Sequence, residues 1–231
     1  MFSKRNQTLF FALTGIIFLS LGSLTLNAQQ IAVPSIRTEA ENIDLSKFIG
    51  SRYMEETFKN GTVYDGLTSF EKKTFLRYDV YGDFFEMKKS PSDKKTDFLK
   101  QAAEIHLVMD GKTFYYKSYK DDEDKQRFGY LQKLERIGDI DFYLKYSTKL
   151  TMPVEAETTL EQDRPGKIKS YTYYVVGKSE QLAYAKISKK TILEYIPEEK
   201  RKDVKSYIKK EKLKFKNFQD LIKLANYVNG L

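Results

Sequence analysis

The chain contains no cysteine and no tryptophan, and its single histidine is His106. The absence of cysteine excludes disulfide bonds, so the fold must depend on an ordinary hydrophobic core. One histidine without any cysteine also removes the ligands that transition-metal sites usually use. We therefore predict no metal site and no cofactor, and we expect His106 to lie in the middle of a strand, facing solvent or a neighbouring strand.

Sequence motifs of the common enzyme classes are missing as well. The chain has no Gly-x-Ser-x-Gly nucleophile elbow, no Walker loop and no dinucleotide-binding fingerprint. The acidic run Asp121–Asp124 fails as a calcium loop, because Arg127 and Lys133 stand where an EF-hand needs glycine and glutamate. Carboxylates are too plentiful to single out a catalytic pair. The sequence thus predicts no catalytic residue and a non-enzymatic protein, with a hydrolase using an unrecognised carboxylate site as an alternative.

Residues 1–28 have the pattern of a cleavable secretory signal peptide. Lys4 and Arg5 precede an apolar run from Leu9 to Leu26, and Ala28 suits the position before a cleavage site. The run is about long enough to cross a bilayer, so an uncleaved anchor is the alternative. No cysteine stands at the cleavage point, which excludes bacterial lipoprotein anchoring. We expect export to the periplasm, the cell surface or the extracellular space.

The middle of the chain, residues 46–187, alternates short apolar strands with turns. The clearest hairpin covers Glu104–Tyr119, with Asp110-Gly111 as its turn. We also interpret Asn60-Gly61 as a turn pair. No helix is long enough to connect parallel strands, so serial hairpins predict a mainly β fold with an antiparallel meander. A sandwich, a curved open sheet and an open barrel all fit this pattern.

Helical spacing replaces the strand pattern in residues 188–231. Asn217 is a favourable N-cap and Gly230 a favourable stop for a second helix, which has apolar residues at helical spacing. Two short amphipathic helices need a surface to pack on, and the sheet is the obvious one. Residues 29–45, between the signal peptide and the β domain, are expected to be a flexible lead.

Positive charge is concentrated near the C-terminus. The chain has a formal charge of +8, and nine cations fall within residues 200–216. Contact with an anionic surface is one interpretation, and a solvated helix face with i,i+4 ion pairs is the other. We expect no nucleic-acid partner for an exported protein. The candidate contact residues are Lys200, Arg201, Lys205, Lys209, Lys210 and Lys212.

Several segments resemble small exported proteins that are common in Bacteroidota. They are Gly50-Ser51-Arg52-Tyr53, Leu76–Tyr81, Glu86-Met87-Lys88, Tyr207-Ile208 and Leu221–Leu224. The resemblance implies bacterial export and a shared fold, and it implies no activity. We therefore expect an envelope protein with a binding or accessory role, whose partner is an envelope protein or a lipid surface. The alternative is a carrier of a lipid or other hydrophobic ligand, with a curved sheet lined by aromatic residues.

Overall fold

A computed structural model describes the backbone of residues 32–33 and the chain over residues 44–158 and 161–231. The predicted signal peptide, including Ala28, lies outside these described residues. So does most of the predicted lead at 29–45, of which Ala32–Val33 pair with a strand of the sheet. None of the described helices is long and apolar enough to span a bilayer.

The described residues form a large, mostly antiparallel sheet and a C-terminal helical segment. The strands are β1 (Ala32–Val33), β2 (Phe48–Ile49), β3 (Lys59–Asp65), β4 (Phe70–Asp79), β5 (Phe84–Lys88), β6 (Asp97–Leu99), β7 (Ile105–Met109), β8 (Lys112–Lys120), β9 (Gln126–Ile137), β10 (Ile140–Thr151), β11 (Gly166–Lys178) and β12 (Gln181–Ala185). The helices are α1 (Arg201–Lys210) and α2 (Phe218–Asn229), with 3-10 turns at Leu45–Lys47, Thr191–Tyr195 and Glu198–Lys200. The prediction of a mainly β fold with C-terminal helices is confirmed.

Strand order divides the sheet into two parts. Strands β1, β6, β5, β4, β3 and β7 follow one another in space and form what we call the arm. Consecutive strands β3 to β6 make a meander, whereas β7 returns to the free edge of β3. Strand β7 then pairs with β8 across the Asp110-Gly111 turn, so the predicted hairpin is confirmed. Both turn residues have positive φ angles, 51° and 71°, as a tight two-residue turn between twisted strands requires.

Strands β8 to β12 close on themselves, and we call this part the ring. Strand β8 pairs with β9, β9 with β10, β10 with β11 and β11 with β12. A parallel bridge between Ala183 and Lys120 joins β12 back to β8. Each strand contributes one buried residue to the ring's interior cluster: Tyr119, Leu131, Tyr143, Val175 and Leu182. The partly buried Tyr115 and Tyr173 pack against this cluster. A ring this small is filled by its own side chains.

Asn60-Gly61 is not a turn, contrary to the sequence-based interpretation, because both residues lie inside β3. A Cβ on Gly61 would lie 2.5 Å from Cδ1 of Leu76 and 2.8 Å from the carbonyl oxygen of Val108. Such distances are too short for any side chain, so this glycine permits close packing of β3 against its neighbours. The dipeptide is common in turns, but here the strand pattern on both sides determines its conformation.

The tip of the β4–β5 hairpin fills an opening in the ring. Pairing between β9 and β10 ends at Gln132 and Leu144, and beyond that point the Asp83 carboxylate accepts a hydrogen bond from the backbone N–H of Tyr130 (3.4 Å). Nζ of Lys145 lies 2.5 Å from Asp83 Oδ1 and 3.2 Å from the Tyr78 hydroxyl, which also bonds to Asp83. Burial lowers the pKa of Lys145, and Asp83 opposes that effect. The arm and the ring are thus joined by a charged contact of low solvent exposure.

Helices α1 and α2 pack on the outer face of the ring. Leu221, Leu224 and Val228 of α2 are buried in one cluster with Phe142 and Val176 of the ring. The predicted N-cap is confirmed: the Asn217 side chain accepts hydrogen bonds from the backbone N–H groups of the first helical turn. The helical segment therefore covers apolar strand surface, which supplies the packing that such short helices need.

We predict that Asp83→Asn destabilises the fold by about 3 kcal/mol, because it leaves Lys145 buried without its counter-ion. This is the lower end of the range for buried pairs, since Asp83 retains 26% side-chain exposure. Asparagine tolerates the positive φ of 54° at this position, so backbone strain is not added. Urea unfolding measures the effect.

The double variant Asp83→Asn/Lys145→Met is the matched control for this prediction. Removing both charges leaves no unpaired ion, so the double variant should be more stable than Asp83→Asn alone. If the effects of the two substitutions were simply additive, the charge pair would not stabilise the contact between the arm and the ring.

Candidate functional site

A groove near the C-terminus brings together five lysines that have no salt bridge among the described residues. It lies between the 3-10 turn Thr191–Tyr195, helix α1 and the connection from α1 to α2, and its volume is about 430 Å³. Half-buried Leu193 and buried Ile208 supply its apolar lining. Five exposed lysines surround this lining, and we call the whole the lysine groove. They are Lys189, Lys205, Lys209, Lys212 and Lys214.

The connection between the helices places two of these lysines by alternation. Leu213 and Phe215 are buried, while the alternating lysines are exposed: Lys212, Lys214 and Lys216. Oδ2 of Asp220 in the first turn of α2 accepts hydrogen bonds from the backbone N–H groups of Lys214 (2.9 Å) and Phe215 (2.8 Å). The loop backbone is therefore held by the next helix, and the lysine side chains remain directed outward.

Lys212 occupies a backbone position that normally favours glycine. The N–H of Leu213 bonds to the carbonyl of Ile208 and the N–H of Lys212 to that of Lys209, which together form a Schellman motif at the end of α1. The residue after the C-cap has φ = 55°. A side chain with a Cβ costs about 1 kcal/mol or more in this left-handed region. Helix α1 therefore ends with lysine at a position where glycine is favoured, at the rim of the lysine groove.

The charge of the groove is not neutralised by neighbouring acids. Within the described part of the chain, none of its five lysines has a carboxylate oxygen within 4.0 Å. Lys205 and Lys209 are also i,i+4 neighbours on α1, an arrangement that is mildly destabilising for like charges. By contrast, Lys178 pairs with Asp139 on the ring. The lysine groove therefore presents a net positive surface.

The six predicted contact residues divide into three groups. Lys205, Lys209 and Lys212 meet in the groove. Lys200 donates to the carbonyl oxygen of Val228 at the end of α2 (3.1 Å), and Arg201 donates to that of Ile196 (3.0 Å). These two cations therefore satisfy backbone acceptors at the ends of other segments. The sixth, Lys210, is exposed on α1 and does not line the groove.

Sequence reasoning missed the contributions of Lys189, Leu193 and Lys214. Lys189 and Leu193 precede α1 in sequence, and only packing of the 3-10 turn against α1 brings these two residues to the groove. For Lys214, the alternation of lysine with buried residues over 212–216 was a usable signal. The lysines of α1 could therefore be predicted from the sequence as a run of positive charge, whereas the apolar lining of the groove could not.

His106 lies in the middle of β7 and makes a cross-strand aromatic stack. Its ring lies between Tyr64 (4.9 Å between centroids) and Tyr115 (5.2 Å) at interplanar angles of 10° and 17°. Burial lowers the pKa of His106. The ring is a packing element between two tyrosines.

Two buried carboxylates bear on the hydrolase alternative. Asp79 lies 2.5 Å from Arg52, and Glu86 accepts a hydrogen bond from Arg77 Nε (2.7 Å). Burial raises the pKa of Asp79, whose other oxygen accepts from a backbone N–H in the β4–β5 turn. Arg77 also lies over the ring of Tyr53 at 3.8 Å. These contacts bind residues 51–54 to the end of β4 and leave both carboxylates paired with arginine.

The ring interior gives no support to the carrier alternative. Its cluster of five side chains is at most 4% exposed, and the Tyr119 and Tyr173 hydroxyls bond to each other at 2.9 Å. Phe114 of β8 is fully buried against aromatic residues of the arm. The aromatic side chains of the described strands therefore act mainly in packing.

Comparison with known proteins adds no relative: no family model, no curated protein and no solved structure matches the chain. The lysine groove therefore has to be interpreted from its own geometry and charge.

We predict that Lys212→Gly stabilises the fold by up to about 1 kcal/mol, because glycine adopts the left-handed conformation without a steric penalty. Lys210→Gly is the matched control: it removes the same charge from within α1, where glycine costs roughly 0.5–1 kcal/mol. Thermal or urea unfolding of both variants measures the difference. Equal destabilisation by the two substitutions would contradict the assignment of a Schellman position to Lys212.

Proposed function

We propose that this is an exported, non-enzymatic envelope protein that attaches to an anionic lipid surface through the lysine groove. The observation that carries the proposal is a set of five lysines without acidic partners around an apolar lining. Phosphate-bearing lipid surfaces attract clustered lysines at about 1 kcal/mol per residue. A groove with both cationic and apolar lining also matches the two chemistries of a lipid headgroup region.

Export is supported by the sequence alone. Lys4 and Arg5 precede the apolar run, and Ala28 ends it at a suitable cleavage position. The resemblance to small exported proteins of Bacteroidota supports the same compartment and an accessory role. Because the cleaved chain would lack its apolar N-terminus, any attachment to the envelope would depend on the folded part.

We predict that the protein isolated from the periplasm of an expressing bacterium begins at Gln29. Mass spectrometry of the intact protein measures this. Ala28→Leu is the control, because signal peptidase requires a small residue at this position, and it should accumulate uncleaved in the membrane fraction. A wild-type chain that retains Met1 in the membrane would identify residues 1–28 as an anchor instead.

For the surface contact, we predict that Lys205→Gln/Lys209→Gln/Lys212→Gln weakens binding to vesicles of phosphatidylglycerol and phosphatidylcholine by about 100-fold. Three lysines at about 1 kcal/mol each give this factor. Co-sedimentation of residues 29–231 at low salt provides the measurement. Binding should also fall as salt is raised, since exposed charges are screened.

The matched control removes three exposed lysines from the β10–β11 ribbon, Lys149, Lys167 and Lys169. Their replacement by glutamine lowers the net charge equally, and we expect less than a threefold effect on vesicle binding. Equal losses in both triple variants would mean that net charge alone, and not the groove, attracts the protein to the membrane. No binding by the wild-type protein would reject the proposed function.

A further inference from the structure

The lysine groove has features that a flat electrostatic contact does not need. A convex helix surface is sufficient for lysines that only contact a membrane surface. Here, in contrast, Lys189 faces the lysines of α1 across a concave space of about 430 Å³. Leu193 from the 3-10 turn and Ile208 from α1 line that space. Concave sites with an apolar lining and a few convergent polar groups are typical of small-molecule binding.

Lysine side chains can supply both parts of such a site. Their four-carbon stems pack along apolar surface, while the ammonium groups remain at the water-exposed rim. Lys205 and Lys209 are one helical turn apart on α1, and Lys212 follows at its end. All three line the groove together with Leu193, so their stems can extend its apolar lining while their ammonium groups stay in water. Such an arrangement would separate an apolar floor from a cationic rim.

The backbone and the charges at the rim are both locally unfavourable. Lys212 has φ = 55° at a position where glycine terminates helices at lower cost. Like charge on Lys205 and Lys209 adds a further unfavourable term. Both features reduce the stability of the free protein, and an anion bound among these ammonium groups would offset the repulsion.

We infer that the lysine groove binds a single amphiphile with a phosphate group and an alkyl chain. The phosphate lies among Lys205, Lys209 and Lys212, and the first part of the chain lies on Leu193 and Ile208. This inference rests on the proposed function and adds to it the class of ligand: a lipid phosphomonoester withdrawn into the groove, rather than a charged membrane surface beneath it. A phosphate monoester carries about −1.5 to −2 charges at neutral pH, which suits several lysines better than one carboxylate would.

Isothermal titration with three probes tests the inference on residues 29–231. The probes are dodecyl phosphate, inorganic phosphate and dodecyl maltoside, each below its micelle concentration. Dodecyl phosphate should bind at least about 10-fold more tightly than inorganic phosphate, since two buried methylenes at about 0.8 kcal/mol each give this factor. Dodecyl maltoside should bind at least as weakly as inorganic phosphate. Equal affinity for the two phosphates would overturn the role of the apolar lining, and equal affinity for the two detergents would overturn the role of the lysines.

Two pairs of variants locate the site. Leu193→Ser should reduce the affinity for dodecyl phosphate to that for inorganic phosphate, while Leu193→Met should retain most of the wild-type preference. Retained binding of inorganic phosphate by Leu193→Ser shows that the variant is folded. The triple lysine-to-glutamine variant of the groove should lose about 100-fold for both phosphates, and the Lys149, Lys167 and Lys169 triple variant should not. Unchanged dodecyl phosphate binding in the groove variants would place the ligand elsewhere.

The same measurements separate this inference from the proposed function. Vesicle binding without a preference for dodecyl phosphate would leave a surface contact and reject the amphiphile site. Binding of dodecyl phosphate without vesicle binding would support the site and reject attachment to the membrane. Wild-type protein that binds neither vesicles nor dodecyl phosphate would reject both.

Discussion

The fold depends on how the ring of β8 to β12 is closed. Hydrogen bonding between β9 and β10 ends before these strands do, so the ring has an opening that backbone pairing does not fill. Asp83, Tyr78 and Lys145 fill it with a charged hydrogen-bonded group. Because the first two come from the β4–β5 hairpin, docking of the arm fills the part of the ring that backbone pairing leaves open. This charged group, together with the packing of Phe85 against Phe114 and Tyr130, couples two parts of the sheet that are distant along the strand order.

Two glycines show how backbone approach supports this architecture. Gly61 lets β3 lie against the Leu76 side chain, and Gly129 leaves room on β9 for the Asp83 carboxylate beside Lys145. In both cases a Cβ would collide with an atom of a neighbouring element. Neither glycine lies in a turn. Each glycine is needed because of a partner that is far away in sequence, and a local sequence pattern cannot predict such a need.

Local patterns predicted what depends on neighbours in sequence. Alternation and the Asp110-Gly111 turn predicted the β7–β8 hairpin, and Asn217 predicted the start of α2, because each rests on residues a few positions apart. The return of β7 to β3 and the bridge from β12 to β8 could not be predicted, since these pairings join edges that no turn connects. The same distinction holds at the lysine groove. The cations of α1 were visible as a run, but Lys189 and Leu193 reach them only through packing of the 3-10 turn on α1.

Charge is distributed in two different ways across the molecule. On the arm and the ring, several cations pair with acids across strands: Arg77 with Glu86, Lys145 with Asp83, and Arg136 with Asp141. The last pair, with help from Lys133, lowers the pKa of Asp141 to about 2. In the lysine groove, the five cations instead face one another without such partners. Lysines that serve solubility alone do not need an apolar lining between them. The groove combines unpaired lysines from successive segments with such a lining, and an anion bound there would offset the repulsion among the lysines.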